Sequence, residues 1–395
     1  MLRDADASAV AAALRDTRQQ TLATFAAYER ALGERGFVVP YSGELNPPLW
    51  ELGHVGWFQE WWLRRNPERD RGVGADPEAS RLPPRRPNAD ALFDSSRVAH
   101  DTRWQLPLPG AAALRDDLAQ GLQESLALLE NGPSGEALYF FRLCLFHEDM
   151  HNEAAIYMAQ HLSLPLRGWA PIAHPAAHEV AIVGGTFSLG TPYGNGFAFD
   201  NELGPHDIEL KEFQIDSAPV SWARYLPFVE AGGYRERRWW SDTGWQWLQQ
   251  QALQAPRYLR ANGTCWQRQT FGDWVDLDPR KPAVNLSCFE AQAYCAWAGR
   301  RLPSEAEWEC AAVRAGAAFE WRQVWEWTAS PFEPSPGFVA HPYRDYSAPW
   351  FHTRRVLRGG SFATHERMKH PRYRNFFPPE RNDIFAGLRT CALEP

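Results

Sequence analysis

The stretch Cys144–Leu162, CLFHEDMHNEAAIYMAQHL, decides how the first half of this chain is read. Apolar residues recur through it at the three-and-four spacing of a helix, yet His147 and His151 sit four residues apart in the same run. Side chains at i and i+4 lie on one helix face a turn apart, so both imidazoles can address a single atom. Two histidines at this spacing are a common metal-chelating arrangement. HEDMH also matches the zinc-protease pattern, in which the intervening glutamate, here Glu148, is the general base. A hydrolase and a metal site of another kind both stand open at this point.

A third imidazole, His54, lies in PPLWELGHVGWFQEWWL (Pro47–Leu63), flanked by Trp50, Trp57, Phe58 and Trp61. The spacing puts aromatics on and beside its face, so His54 is expected to point into a bundle interior. Three neutral imidazoles around one divalent ion would leave about three positions of an octahedron open to reactants, unlike a closed structural zinc site.

The surrounding sequence up to about residue 165 reads as helices. Asp4 suits the cap of a segment running to about Leu32; Asn46 and Pro47 suit the N-cap and first position of a second. A third fits AAALRDDLAQGLQESLALLENG, closed by Gly132-Pro133, and a fourth runs from Gly135 to Leu162. Four such helices make a bundle. The Pro- and Arg-rich connection Arg65–Asp90 is too long for a tight turn and is expected to cover one end of it. Beyond residues 165–178 the texture changes to short β-like runs, EVAIVGGTFSLG and RRVLRGGSF among them, separated by Gly, Pro and Trp clusters. Two helices stand out there, in SCFEAQAYCAWAGRR and from SEAEWECAAVRAG. The expected division is a helical domain over 1–170 and an irregular α+β domain over 171–395.

Bulk composition narrows the function. With 395 residues the chain is long enough for more than one core, and 19 Trp and 31 Pro point to an aromatic-rich, irregular portion. A net charge of -7, without a concentrated basic surface, argues against nucleic acid as partner. No uncharged stretch approaches the roughly 20 apolar residues of a membrane span, and the N-terminus carries charges through its apolar run, so a cytoplasmic protein without a membrane partner is expected. The six cysteines form no CxxC pair, which disfavours a zinc ribbon or redox dithiol.

The chain resembles the EgtB-type nonheme iron sulfoxide synthases of ergothioneine biosynthesis, which join a DinB-like four-helix bundle to a formylglycine-generating-enzyme-like domain. In the first half the likeness rests on PPLWELGHVGWFQEWWL and FHEDMHNEA, and it implies Fe(II) on His54, His147 and His151, with O2 as co-substrate and hercynine as acceptor. In the second half it rests on GGTFSLGT, PAVNLSCFEAQAYCAWAGRRLPSEAEWECAA, VWEWTAS, YRDYSAPWF, VLRGGSFAT, RYRNFF and FAGLR, in that order. The family's catalytic tyrosine string maps onto Tyr343, with Tyr346 as a binding neighbour. Asn375, Phe376 and Phe377 are implied to line the hercynine pocket, and Arg374 to pair with the betaine carboxylate.

Departures from the family pattern carry information. The cysteine pair of formylglycine-generating enzymes is missing from RMKHPRYRNFFPPERND, which disfavours copper-dependent cysteine oxidation. Members that accept γ-glutamylcysteine resemble RNWD followed by basic residues at this point, whereas here Phe377 and Asn382 replace the charged anchors. Met150 replaces a polar residue that helps hold the acceptor. These changes resemble the selenoneine-synthase (SenA-type) branch, which implies a neutral selenosugar donor. A thiol donor, cysteine or γ-glutamylcysteine, is the alternative.

Overall fold

The computed structural model describes residues 2–194 and 196–393. Its contacts divide the chain into two units. The first holds the chain up to Leu166 together with two short returns, Gly194–Ala198 and Val339–Tyr346; the second holds the rest.

The first unit is built on α1 (Ala7–Leu32), α2 (Pro48–Trp62), the short α3 (Ala89–Phe93), α4 (Ala111–Glu130) and α5 (Tyr139–His161). Asp6, not Asp4, caps α1: its extended backbone lets its carboxylate accept from the Ala9 amide at 2.9 Å, while Asp4 belongs to a preceding 3-10 turn. Helix α2 starts one residue later than expected, with Pro47 at the cap. The amide of Asn46, which a capping role would have used, donates instead to Glu51 at 2.5 Å. Helix α4 shows a single buried stripe, Leu114, Leu118, Gly121, Ser125 and Leu129, and Gly132, at φ 65, turns the chain after it. By contrast α2 is buried nearly all round, packed against α4 and α5, which explains its aromatic content.

The Arg65–Asp90 connection is tied down by its arginines. Arg81 lies over the rings of Trp61 and Trp62, Arg85 pairs with Glu124 at 2.7 Å, and Arg86 pairs with Asp117 at 2.7 Å. Of the two returns, one sets Phe197 against Tyr139 and Phe146 at 5.4 and 5.0 Å between ring centroids. The other brings His341 to within 3.0 Å of the Tyr139 hydroxyl.

The second unit is poor in long elements. Its four-stranded sheet runs Asn375–Phe377, Arg355–Gly359, Trp325–Pro331, Ala386–Leu388, the last pair parallel and the others antiparallel. A second sheet runs Glu179–Ile182, Phe213–Asp216, Cys391–Ala392, Arg300–Arg301. The two helices expected here are α8 (Cys288–Ala298) and α9 (Glu305–Arg314), each opened by a capping box, Ser287 with Glu290 and Ser304 with Glu307. Two more, α6 (Trp222–Glu230) and α7 (Asp242–Gln251), were not expected: Pro227 sits inside the first, and the second buries only Gly244, Trp247 and Leu248. All six cysteines are free thiols. No helix among the described residues is long and apolar enough to cross a membrane.

Tryptophans and paired charges replace regular structure in this core. Trp222, Trp308 and Trp327 are fully buried. The Trp308 indole donates to Glu326 at 2.7 Å, and Arg389 binds the same carboxylate through two contacts of 2.7 and 3.0 Å. Removing one member of such a buried pair strands the other charge. Arg389→Met is therefore expected to destabilise the protein by about 3–5 kcal/mol. The double variant Arg389→Met/Glu326→Gln, which keeps an acceptor for Trp308, should recover part of that loss in urea unfolding. A single variant as stable as the parent would contradict this account.

Candidate metal centre

Helix α2 contributes His54 and helix α5 contributes His147 and His151. One nitrogen from each lies within 4.8 Å of the others. Ring centroids are 5.1 Å apart for His54 and His147, 4.9 Å for His54 and His151, and 4.4 Å for His147 and His151. His54 and His147 are 3% exposed, whereas His151 lies towards the rim. Burial, reinforced by the neighbouring imidazoles, drives the His54 pKa down to about 3 and holds that of His147 well below its usual value. Both rings are neutral at physiological pH, the form that binds metal.

Each ring is held by different means. His54 Nδ1 lies 2.8 Å from the carbonyl of Phe93, and His151 Nδ1 lies 2.5 Å from a carboxylate oxygen of Glu51. Neither partner can donate, so Nδ1 carries the proton in both and Nε2 is left as the ligand atom. His147 stacks face to face on Phe58, with centroids 3.5 Å apart and planes 4° from parallel; Trp50 stacks on His54 at 4.7 Å and 9°. Burial alone would raise the Glu51 pKa, but His151 first and the hydrogen bond from Asn46 hold it down to about 2, so Glu51 is an anion. Three imidazoles gathered in a largely buried space, two of them with Nδ1 committed to a partner, fit a divalent transition metal.

The intervening glutamate faces elsewhere. Glu148 is 2% exposed; it takes Arg18 Nε at 2.7 Å and Arg18 Nη2 at 3.0 Å on its two oxygens, and the Thr21 hydroxyl at 2.7 Å. A carboxylate so committed cannot serve as the base of a hydrolase, and the HEDMH protease alternative is corrected accordingly.

Tyr343 joins this unit through the Val339–Tyr346 return. Its ring stands edge-on to Phe58 at 4.9 Å and to His147 at 6.3 Å. Burial first, and the nearby Asp345 and Asp94 carboxylates second, push its phenol well above the ordinary value. Tyr346 lies 6.0 Å from Tyr343, and its hydroxyl approaches the Met150 sulfur at 3.9 Å. Six of the expected site residues therefore lie in this unit: His54, His147, His151, Met150, Tyr343 and Tyr346.

The remaining expected residues lie in the second unit. Asn375, Phe376 and Phe377 form its edge strand; Phe376 stacks on Phe332 at 4.1 Å, and Arg381 lies over Phe377. Asn382 accepts from Arg257 at 3.1 Å. Arg374 is 5% exposed; it binds both oxygens of Glu305 at 2.8 and 3.0 Å and donates to the Asn201 and Glu333 carbonyls. Its guanidinium braces its own domain, which differs from the carboxylate-binding role expected for it. Sequence reading passed over Glu51 and the Phe93 carbonyl. A carboxylate three residues before His54 on one helix face was the available signal for the first; a main-chain oxygen leaves none.

Comparison with known proteins places the chain among relatives. The sulfatase-modifying factor enzyme 1-like domain family matches residues 170–324 and 322–393. The hercynine oxygenase of Mycolicibacterium thermoresistibile is 33% identical over 407 residues, covering 88% of each chain. That of Mycobacterium tuberculosis is 33% identical over 405 residues, covering 88% of this chain and 91% of its own. The formylglycine-generating enzyme of Streptomyces coelicolor is 29% identical over 261 residues, which is 50% of this chain and 82% of its own. The similarity to the first two covers 88% of this chain at 33% identity, and on that ground the chain belongs to the EgtB-type hercynine oxygenase family of oxidoreductases.

Proposed function

We propose that His54, His147 and His151 hold Fe(II) and that the chain catalyses O2-dependent bond formation between selenium and C2 of the hercynine imidazole, with a selenosugar such as selenoglucose as donor and selenoneine as the eventual product. The observation that carries this reading is the convergence of three imidazoles in a chain similar to hercynine oxygenases over 88% of its length. Fe(II), when bound, would supply the reduction of O2 and a coordination position for a soft chalcogen.

The chain's own groups supply the rest. Tyr343 stays protonated at neutral pH and stands beside His147, so its hydroxyl is suited to deliver a proton to reduced oxygen as a general acid. Met150 and Tyr346 flank the same face and are assigned to substrate contact. The trimethylammonium group of hercynine is a cation that aromatic faces hold by about 0.5–2 kcal/mol per ring, and Phe376 and Phe377 are assigned that role beside Asn375. The assignment of a neutral donor rests on Phe377 and Asn382 and on their neighbours: Arg381 is paired with Asp383 at 2.6 and 2.7 Å, and Arg257 with Asn382. An arginine already paired with Asp383 offers little to a charged amino-acid donor, and the Asn382 amide carries no charge to offer. A sulfur donor is the second reading, supported by similarity to the mycobacterial hercynine oxygenases.

The deciding experiment is anaerobic reconstitution with Fe(II), followed by O2, hercynine and a panel of selenoglucose, thioglucose, cysteine and γ-glutamylcysteine, with products weighed by mass spectrometry. Selenoglucose should be preferred, and His147→Ala should lose both metal and turnover. Preference for cysteine would replace the donor assignment, and full activity of His147→Ala would end the metal reading.

Tyr343→Phe removes the proton donor while leaving its ring packing in place. Coupling should fall by about 10²–10⁴-fold, with donor oxidation rising as a share of O2 consumed. An unchanged product ratio would exclude the assignment.

The metal-free protein should also lose stability in acid. Below about pH 6.5 the unfolded chain protonates its imidazoles, whereas His54 resists protonation down to about 3. Stability is thus fully present above about 6.5 and declines as pH falls towards 3, by up to about 1.4 kcal/mol per pH unit for each such imidazole. The urea midpoint should drop between pH 7 and pH 5, and less so in His54→Gln. A midpoint independent of pH over that interval would contradict the buried, neutral assignment.

A further inference from the structure

Three imidazoles in one cluster are not held alike, and the difference points to a residue with no assigned role. The Nδ1 partner of His54 is a neutral main-chain carbonyl, and His147 is fixed by its face on Phe58. His151 alone of the three has a carboxylate at Nδ1, that of Glu51 at 2.5 Å. Glu51 is itself 8% exposed and anchored from behind. Its other oxygen accepts from the Asn46 amide at 2.5 Å, and the Asn46 oxygen accepts from Arg103 at 2.8 Å. The same Arg103 guanidinium lies 3.9 Å over the ring of Trp50, which in turn stacks on His54. One buried arginine thus reaches two of the three ligands, His151 through Asn46 and Glu51, and His54 through Trp50.

We propose that Glu51 is a positioning residue for the metal: its carboxylate holds His151 in the Nδ1–H tautomer, aims Nε2 at the ion and makes that imidazole the most strongly donating of the three, while Asn46 and Arg103 hold Glu51 in place. A carboxylate on the far nitrogen raises the basicity of a ligating imidazole and fixes its rotation, whereas a carbonyl does mainly the second. Placement on the chain adds a constraint. Glu51 lies one turn before His54 on α2, so the helix that gives one ligand also orients a ligand of α5, and the two helices cannot slide without disturbing both. The anion also offsets part of the charge that a divalent ion brings into a space walled by the rings of Trp50 and Phe58.

This inference rests on the metal reading above, and its test separates the two. Full-length parent, Glu51→Gln and Glu51→Ala proteins are titrated anaerobically with Fe(II), and separately with Co(II), against a competing chelator. The visible Co(II) spectrum and the Fe(III)/Fe(II) midpoint potential are recorded, together with the melting temperature of each metal-free protein. Glu51→Ala should bind metal about 10–100-fold more weakly than the parent. Glu51→Gln, which keeps an acceptor of the same shape but no charge, should bind with intermediate affinity and show a raised midpoint potential. Should Glu51→Ala fail to fold, Glu51→Gln still decides through its potential and spectrum. Folded variants with parental affinity, spectrum and potential would overturn the inference and reduce Glu51 to a structural residue. A parent chain that takes up no metal would instead sink the reading beneath it.

Discussion

Placing three imidazoles within 4.8 Å of one another in a bundle requires that the two buried in its interior, His54 and His147, stay uncharged. Two protonated rings at that distance, cut off from water, would repel each other at a cost no surrounding packing offsets. The helical unit is organised around this requirement. Burial keeps His54 and His147 neutral, the Phe93 carbonyl and the Glu51 carboxylate fix which nitrogen carries the proton, and Trp50 and Phe58 hold ring planes through stacking. The glycine preceding His54 belongs to the same design. A Cβ at Gly53 would meet the Phe93 ring at 2.2 Å, so a larger residue there would displace the segment whose carbonyl orients His54. Aromatic bulk and missing bulk serve the same imidazole.

The second unit meets a different constraint, that of building a core from a chain with few long elements. Where backbone ladders are short, buried charges must be satisfied by other buried charges. Arg358 pairs with Glu305 and Glu309, Arg374 with Glu305, and Arg389 with Glu326. Such pairs contribute little net stability, because desolvation takes back most of the attraction, but each demands one geometry. The loops they tie together are held in a single arrangement, a sound base for presenting the edge strand Asn375–Phe377.

What could be read in the sequence followed from periodicity and local chemistry. The helices carrying the histidines were legible because their aromatic and aliphatic residues repeat at helical spacing, and α8 and α9 because each opens on a Ser-x-x-Glu capping box. Helix α6 was not, since Pro227 reads as a breaker, nor α7, since WQWLQQQ offers too narrow an apolar stripe. Asp6 displaced Asp4 as the cap of α1, a choice between two acidic residues two positions apart that no pattern resolves. Long-range placement was the least legible. Nothing in YRDYSAPWF indicates that its tyrosines return to a bundle whose helices ended far upstream, and the expectation came from resemblance alone. Resemblance also left Arg374 in need of revision: it sits in the RYRNFF string, yet four of its contacts are with its own domain.

The fate of HEDMH shows why spacing alone does not select a chemistry. Histidines at i and i+4 share a face on any helix, and the residue at i+1 lies about 100° round from the first, so it can be turned to the metal or away from it. Which way it acts depends on what the neighbouring helix presents. Here α1 places Arg18 and Thr21 against Glu148 and consumes both of its oxygens. A free carboxylate at that position would be available to activate water; a paired one becomes a brace between α1 and α5. The carboxylate that does attend the cluster, Glu51, comes from α2, and it meets Nδ1 of His151. Glu148 and Glu51 are thus both committed to holding their neighbours in place, and neither stands in the role that a hydrolase of this pattern gives its glutamate.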